Sequence, residues 1–223
     1  MALKINSYLG HLVFGEEPNW ISEPKFNMNR PYDYFGSVGV GVRYSHYEFT
    51  EIKFIFEYLF QNKQEIWEMK NFFDDRKGRY DGFWIPSWRS DIIVTSDFDI
   101  TDTQLNIQDI EYSDNWLNND VEGRHIAIIH PDGTHIYRKI LSAPSSTIIT
   151  LDKQLEKAVT TEELNSLLIS FLHFVRFDQD EMVLTYYNPN IAKSSFGNKS
   201  IPNEMTAVTT TTSSSTTTTS TTV

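Results

Sequence analysis

Residues 167–177 read LLISFLHFVRF, and this run decides the fold. In an extended chain successive side chains point to opposite faces. Leu168, Leu172 and Phe174 therefore fall on one face, and Ile169, Phe171, Val175 and Phe177 on the other. Both faces are apolar, so the strand belongs inside a layered β structure or at a contact between subunits. Asp178, Gln179, Asp180 and Glu181 then make a polar break, and MVLTYY (182–187) resumes the extended pattern. The stretch 167–187 is expected as a hairpin with a solvated acidic tip.

Working upstream, 38–60 is rich in aromatic residues, with Tyr44, Tyr47 and Phe49 leading into Ile52, Phe54, Phe56 and Tyr58 at period two. That period reads as a strand. Gly36, Gly39 and Gly41 lie in GSVGVG. Strand-like sequence follows them where a phosphate loop needs a helix, so they read as a turn or bulge. One helix is expected over about 62–77. Asn62 is a good N-cap with Glu65 three residues on, the capping-box pattern. Ile66, Met69 and Phe73, joined by Trp67 and Phe72, make the apolar stripe. Arg76 and Lys77 suit the negative end of the helix dipole, and Gly78 is placed to stop the helix at C′.

Residues 79–94 (RYDGFWIPSWRSDIIV) turn into extended chain, with Pro86 confining Ile85 to extended geometry. The stretch 97–158 reads as a separate small β unit, built on a hairpin of 124–130 and 134–140 joined by Pro131-Asp132-Gly133. Residues 148–151 make another short strand, and Thr160 to Glu163 cap a short helix at about 161–166. The expected class is mainly β, sandwich- or barrel-like, with one prominent α-helix and α+β character in the N-terminal core. The expected division is a core of 1–95 with 167–208, an inserted small β domain at 97–158, and a C-terminal arm at 209–223. That arm holds ten Thr, four Ser and one Val. It has too little apolar surface to offset its ordering entropy, although Thr forms strands well and the arm could dock on a neighbouring subunit's sheet edge.

The chain has 223 residues, enough for one large domain or two small ones. Lys plus Arg number 19 against 30 Asp plus Glu, a net charge of −11. Such a chain repels phosphate and has no general nucleic-acid footprint. There is no cysteine, which excludes disulfides, thiolate nucleophiles and Cys-ligated zinc. No run of 18 apolar residues exists, so no membrane partner is expected. The start, MALKINSYLGHLVFGEEP, lacks the basic and apolar regions of a signal peptide, so synthesis in the cytosol without export by that route is expected.

No constellation in the sequence carries chemistry, and no catalytic residue, metal or cofactor is assigned. Asp97, Asp99 and Asp102 lack the spacing of a calcium loop and read as turn residues. His11, His46, His125, His130, His135 and His173 show no metal-binding spacing, although the 124–140 hairpin could bring two of them together. No nucleophile elbow or nucleotide-binding loop occurs. Arg76, Lys77 and Arg79, with Arg89 beyond, are interleaved with Asp74, Asp75 and Asp81, so ion pairing within or between subunits is their expected use. Trp84 and Trp88 follow closely. Trp and Arg together are typical interface anchors, and the same rings serve equally as ordinary core.

The segment from Phe72 to Trp88, FFDDRKGRYDGFWIPSW, resembles a signature of tailed-bacteriophage tail-tip proteins. There a helix ends in a pattern like FF-x-x-R-x-G-R, followed by G-F-W-x-P-x-W. The segment 170–178, SFLHFVRFD, is similar to the family's closing hairpin. Both resemble the distal tail and baseplate proteins of long-tailed phages and of phage-derived gene transfer agents. The likeness covers 60–95 and 168–187, about a quarter of the chain. Lys77 stands where Arg is frequent, keeping the charge but not the bidentate fork, and the Thr/Ser arm departs from the family pattern.

The resemblance implies a structural virion protein with no enzymatic activity. It implies a homo-oligomeric ring, often a hexamer, located at the tail tip and assembled in the host cytoplasm. Its partners would be further copies of itself, the tail tube and the tail-tip hub proteins, with DNA only passing through the channel. The 97–158 unit would be the family's variable insert. Arg76, Arg79, Trp84, Trp88, Phe72 and Phe73 are then the expected subunit contacts. The acidic charge has a use in such a ring, since a channel wall rich in carboxylates keeps DNA from sticking. A carbohydrate-binding tail module that contacts the host surface through 97–158 and Trp116 is the alternative, and a glycan hydrolase the third.

Overall fold

Phe54, Phe56, Tyr58 and Phe60 are buried, whereas Ile55 and Glu57 are half-buried and Leu59 is exposed. This alternation marks a strand with one face in the core. The computed structural model describes residues 2–30, 32–37, 40–45, 50–117 and 122–201, and for 32–37, 40–45 and 122 it describes the backbone alone. The Thr/Ser arm, His46 and Gly39 lie outside the described residues.

The chain is mostly β, as expected. It forms β1 (Ile5–Tyr8), β2 (His11–Phe14), β3 (Lys25–Asn29), β4 (Tyr32–Ser37), β5 (Val40–Ser45) and β6 (Glu51–Phe60) before the helix α1 (Lys63–Asp75). After it come β7 (Phe83–Pro86), β8 (Gln104–Asn106), β9 (His125–Ile129), β10 (His135–Ser145) and β11 (Ile148–Leu151). The last three strands are β12 (Leu168–Phe177), β13 (Leu184–Asn188) and β14 (Ile191–Ser200). Gly36 and Gly41 are paired strand residues of the β4–β5 hairpin. The expected helix at 161–166 is a single 3₁₀ turn over Leu164–Ser166, after Glu163 caps the Thr160 amide with its carboxylate.

β12 organises the sheet. One of its edges carries β7, from Leu172 opposite Pro86 to Val175 opposite Phe83. The other is shared between β9, from Leu168 opposite Ile129 to Phe171 opposite Ile126, and β14, from Val175 opposite Ser200 to Phe177 opposite Asn198. From β9 the sheet continues to β10, β11 and β8; from β14 it continues to β6 and β3. Named strand pairs are antiparallel except β2 with β7, which meet in parallel at Val13 and Trp84. β8 to β11 thus join the same sheet through β9. The apolar cluster around Ile107, Ile126 and Ile149 also includes Ile92, Ile169 and Phe171.

The hairpin expected over 167–187 does not form. β13 pairs with β14, which lies between it and β6 and reaches β12 at its far end. The stretch IAKSSFGNKS (191–200) gives little sign of being a strand, yet Ala192, Ser194, Phe196, Asn198 and Ser200 are buried at period two. The two apolar faces of β12 are both covered within the protomer. Phe171 packs with the 92–171 cluster, and Val175 and Phe177 pack with Phe72, Phe83 and Phe196. Leu172 and Phe174 meet Val13, Trp84, Ala127, Tyr137 and Ile201.

The helix runs Lys63–Asp75, shorter at both ends than the sequence implies. The Asn62 side chain accepts the Glu65 amide at 2.9 Å, and the Glu65 carboxylate accepts the Gln61 amide at 2.7 Å. Gly78 is not at C′. Arg76 is the C-cap, Lys77 takes C′ with φ +51°, and Gly78 follows at C″ with φ +61°. The Gly78 amide donates to Phe73 O at 3.2 Å and the Lys77 amide to Asp74 O at 3.0 Å, the paired bonds of a Schellman ending. Arg76 and Lys77 therefore lie past the last helical turn. Ile66, Met69 and Phe72 are the buried stripe, and Trp67 projects to solvent at 59% exposure.

Candidate functional site

The segment from α1 to the turn after β7 places the six residues expected at a subunit contact in three different settings. Phe72 is buried, with its ring centroid 5.1 Å from Phe14 and 5.0 Å from Phe83. Phe73 is half-buried, 5.0 Å from Phe177. The Arg76 guanidinium donates to Gly82 O at 3.4 Å. Arg79 is exposed and clasps Asp180, its amide donating to one carboxylate oxygen at 3.0 Å and Nε lying 2.9 Å from the other. The tip beyond β12 is therefore tied to the end of α1.

Trp84 and Trp88 correct the interface expectation. Trp84 is 1% exposed and sits 4.8 Å from His125, 5.0 Å from Phe174 and 5.5 Å from Tyr8. Trp88 is 4% exposed and 5.9 Å from His135. Side chains this deep are core of the protomer and present nothing to a neighbour; Phe72 fails as a contact for the same reason. Trp88 adopts φ +59°, costly for a bulky residue. The turn that holds it is clamped by Asp91. That carboxylate accepts from Ser87 Oγ, from the Phe171 amide of β12 at 2.9 Å, and from Arg89 at 2.8 Å. The W-x-P-x-W pattern thus drives one ring into each side of β7 and closes the turn onto β12.

Beside Trp84 lies a partly buried polar cluster. Tyr8 Oη is 3.0 Å from His125 Nδ1, and Asn6 donates to Tyr137 Oη at 3.0 Å. Burial pushes the pKa of His125 and of His135 down to about 4, and that of Tyr137 up to about 12. It raises Tyr8 further. The histidines are therefore neutral and the phenols protonated near neutral pH. No group of three His, Asp or Glu side chains is placed to hold a metal among the described residues. Trp116, the ring expected to meet a sugar, is half-buried and packs on Phe171 at 4.7 Å.

Asp99 and Asp102 behave as turn residues: Asp102 accepts the Asp99 amide and Asp99 the Ile100 amide. Asp178 is not a free hairpin tip, since it pairs with Lys53 at 3.1 Å.

Sequence reasoning missed a groove of about 370 Å³ between α1 and the β13–β14 hairpin, lined by Lys63, Ile66, Trp67, Lys70, Tyr186 and Pro189. Trp67 and Tyr186 are exposed there at 59% and 55%. The available signal was the spacing of Lys63, Trp67 and Lys70, which at i, i+4 and i+7 share one helix face. That face lies about 100° from the Ile66 stripe.

No family model matches this chain, and comparison with curated proteins gives no match.

Proposed function

We propose that the protein is a structural ring subunit of the phage tail-tip type, joining the tail tube to the tip complex around a channel for DNA. The reading rests on the resemblance and on one observation. The two segments that carry the resemblance, far apart in the chain, are direct neighbours: β7 lies on β12, and Arg79 at the end of α1 clasps Asp180 just beyond β12. Together they make a single unit of helix, left-handed stop, inward tryptophans and central strand. A ring needs such a rigid block, because its repeated heterologous contacts close only if every protomer presents the same two surfaces. With Trp84 and Trp88 inside the block, those surfaces lie elsewhere on the molecule.

The test is the native mass and shape of the purified protein. A ring gives a light-scattering mass several times 25.9 kDa and annular particles with a central opening by electron microscopy. A lone 25.9 kDa particle at high concentration overturns the reading. Within a ring, carboxylates should outnumber Lys and Arg on the channel wall, and a basic lining would sink that part of the account.

A further inference from the structure

We propose that the groove between α1 and the β13–β14 hairpin receives residues 97–102 of a second copy of this chain. Ile100 would enter between Trp67 and Tyr186, while Asp97 and Asp99 meet Lys63 and Lys70. The inference rests on the ring reading and names the contact that would build it.

Three observations on the groove point outward. Its aromatic lining is half-exposed or more, unusual for rings of this size on a surface with no partner. Lys63 and Lys70 make no salt bridge among the described residues, and Lys70 lies 5.1 Å over the Trp67 ring. The two lysines are seven residues apart on the helix, about 10 Å along its axis, so they bracket the tryptophan with positive charge. β13, beside them, has no partner strand on its outer edge among the described residues.

The chain carries a matching surface. Between Arg89 and Arg124 it has no Lys or Arg at all, and Asp97, Asp99, Asp102, Asp109 and Glu111 all lie in that stretch. None of these five forms a salt bridge among the described residues. Asp97 and Asp99 are exposed, and between Asp99 and Asp102 stands Ile100, an aliphatic side chain 50% exposed at the tip of a turn. An exposed isoleucine with flanking carboxylates is the counterpart of an aromatic slot with flanking ammonium groups: the apolar contact supplies affinity and the charges fix register. The two patches are different surfaces of one protomer, so the contact is heterologous and propagates from copy to copy.

The test uses two charge-reversed full-length proteins, Lys63→Glu with Lys70→Glu, and Asp97→Lys with Asp99→Lys, each checked for a wild-type circular dichroism spectrum and unfolding midpoint. Native mass is followed by light scattering across a dilution series. Wild type should associate, and each variant alone should associate at least tenfold more weakly. Mixing the two variants should restore association, because each reversed groove then faces a reversed loop. A merely structural role for these side chains does not produce that rescue. If wild type is a ring and both variants remain rings, the groove assignment fails and the ring stands. If only the groove variant is impaired, the occupant is some other acidic segment and this pairing is overturned. If wild type is a monomer at every concentration, the ring reading fails with it.

Discussion

Gly78 shows how a single position can serve two demands at once. It follows Lys77 in a left-handed pair that ends α1, with φ +61° at the glycine. A Cβ there would sit 2.7 Å from Asp180 Oδ1 and 3.2 Å from Asp180 Cα. Lys77 accepts positive φ because its side chain is exposed, whereas Gly78 is pressed against the carboxylate that Arg79 grips. Gly78→Ala should therefore cost about 1–3 kcal/mol, read as a lower urea midpoint. Lys77→Gly relieves a strained φ and gives up only exposed contacts with Asp81 and the Tyr80 ring, so it should be neutral or slightly stabilising. Equal destabilisation by both would mean that Asp180 has no part in the effect. Gly78 and Arg79 are then a clasp between α1 and the chain beyond β12, with little net energy in the exposed ion pair itself.

At the scale of elements, legibility followed the strength of local signals. α1 was readable because Asn62 and Glu65 mark its start and Ile66, Met69 and Phe72 repeat on one face. β12 was readable because both of its faces are apolar. β14 was not, because three of its inward positions are Ser194, Asn198 and Ser200. Their burial comes from being held between β12, β6 and β13, and no pattern within 191–200 states that. Trp84 illustrates a different limit: sequence shows that a tryptophan wants to leave water, but not whether its own chain or a neighbour provides the shelter. All four residues of β7 are buried, and Trp84 bridges β1–β2 to β9 and β12. Trp84→Ala should destabilise the isolated protomer by about 3–5 kcal/mol, measured by chemical unfolding at a concentration where it is monomeric. An interface anchor would leave that midpoint unchanged and weaken only assembly.

For the whole molecule, the buried and half-buried histidines set a pH window. His125 lies in the seam beside Tyr8 and Trp84, and His135 lies between Trp88 and Tyr137. Desolvation lowers both to about 4, aided by Lys139 and Arg124 at His125 and by Lys4 and His130 at His135; Asp152 opposes the shift at His125. His11 and His130 are also lowered, chiefly by burial. In the unfolded chain these groups titrate near 6.5. Between about pH 6.5 and 4 the unfolded state therefore binds more protons than the native one, and stability falls as pH falls. Above about pH 7 both states are neutral at these sites and the contribution is flat. The carboxylates held low by hydrogen bonds, Glu57 and Asp132 among them, act in a separate window further into acid. Thermal unfolding followed from pH 8 to 4 should thus show a level Tm that declines below about pH 6.5. His125→Gln keeps a polar partner for Tyr8 and removes one titrating ring, so the slope of stability against pH near 5 should drop by about 1.4 kcal/mol per pH unit. An unchanged slope would mean that His125 is already charged in the folded protein, and the seam between β1–β2 and β9 would then have to be open to water.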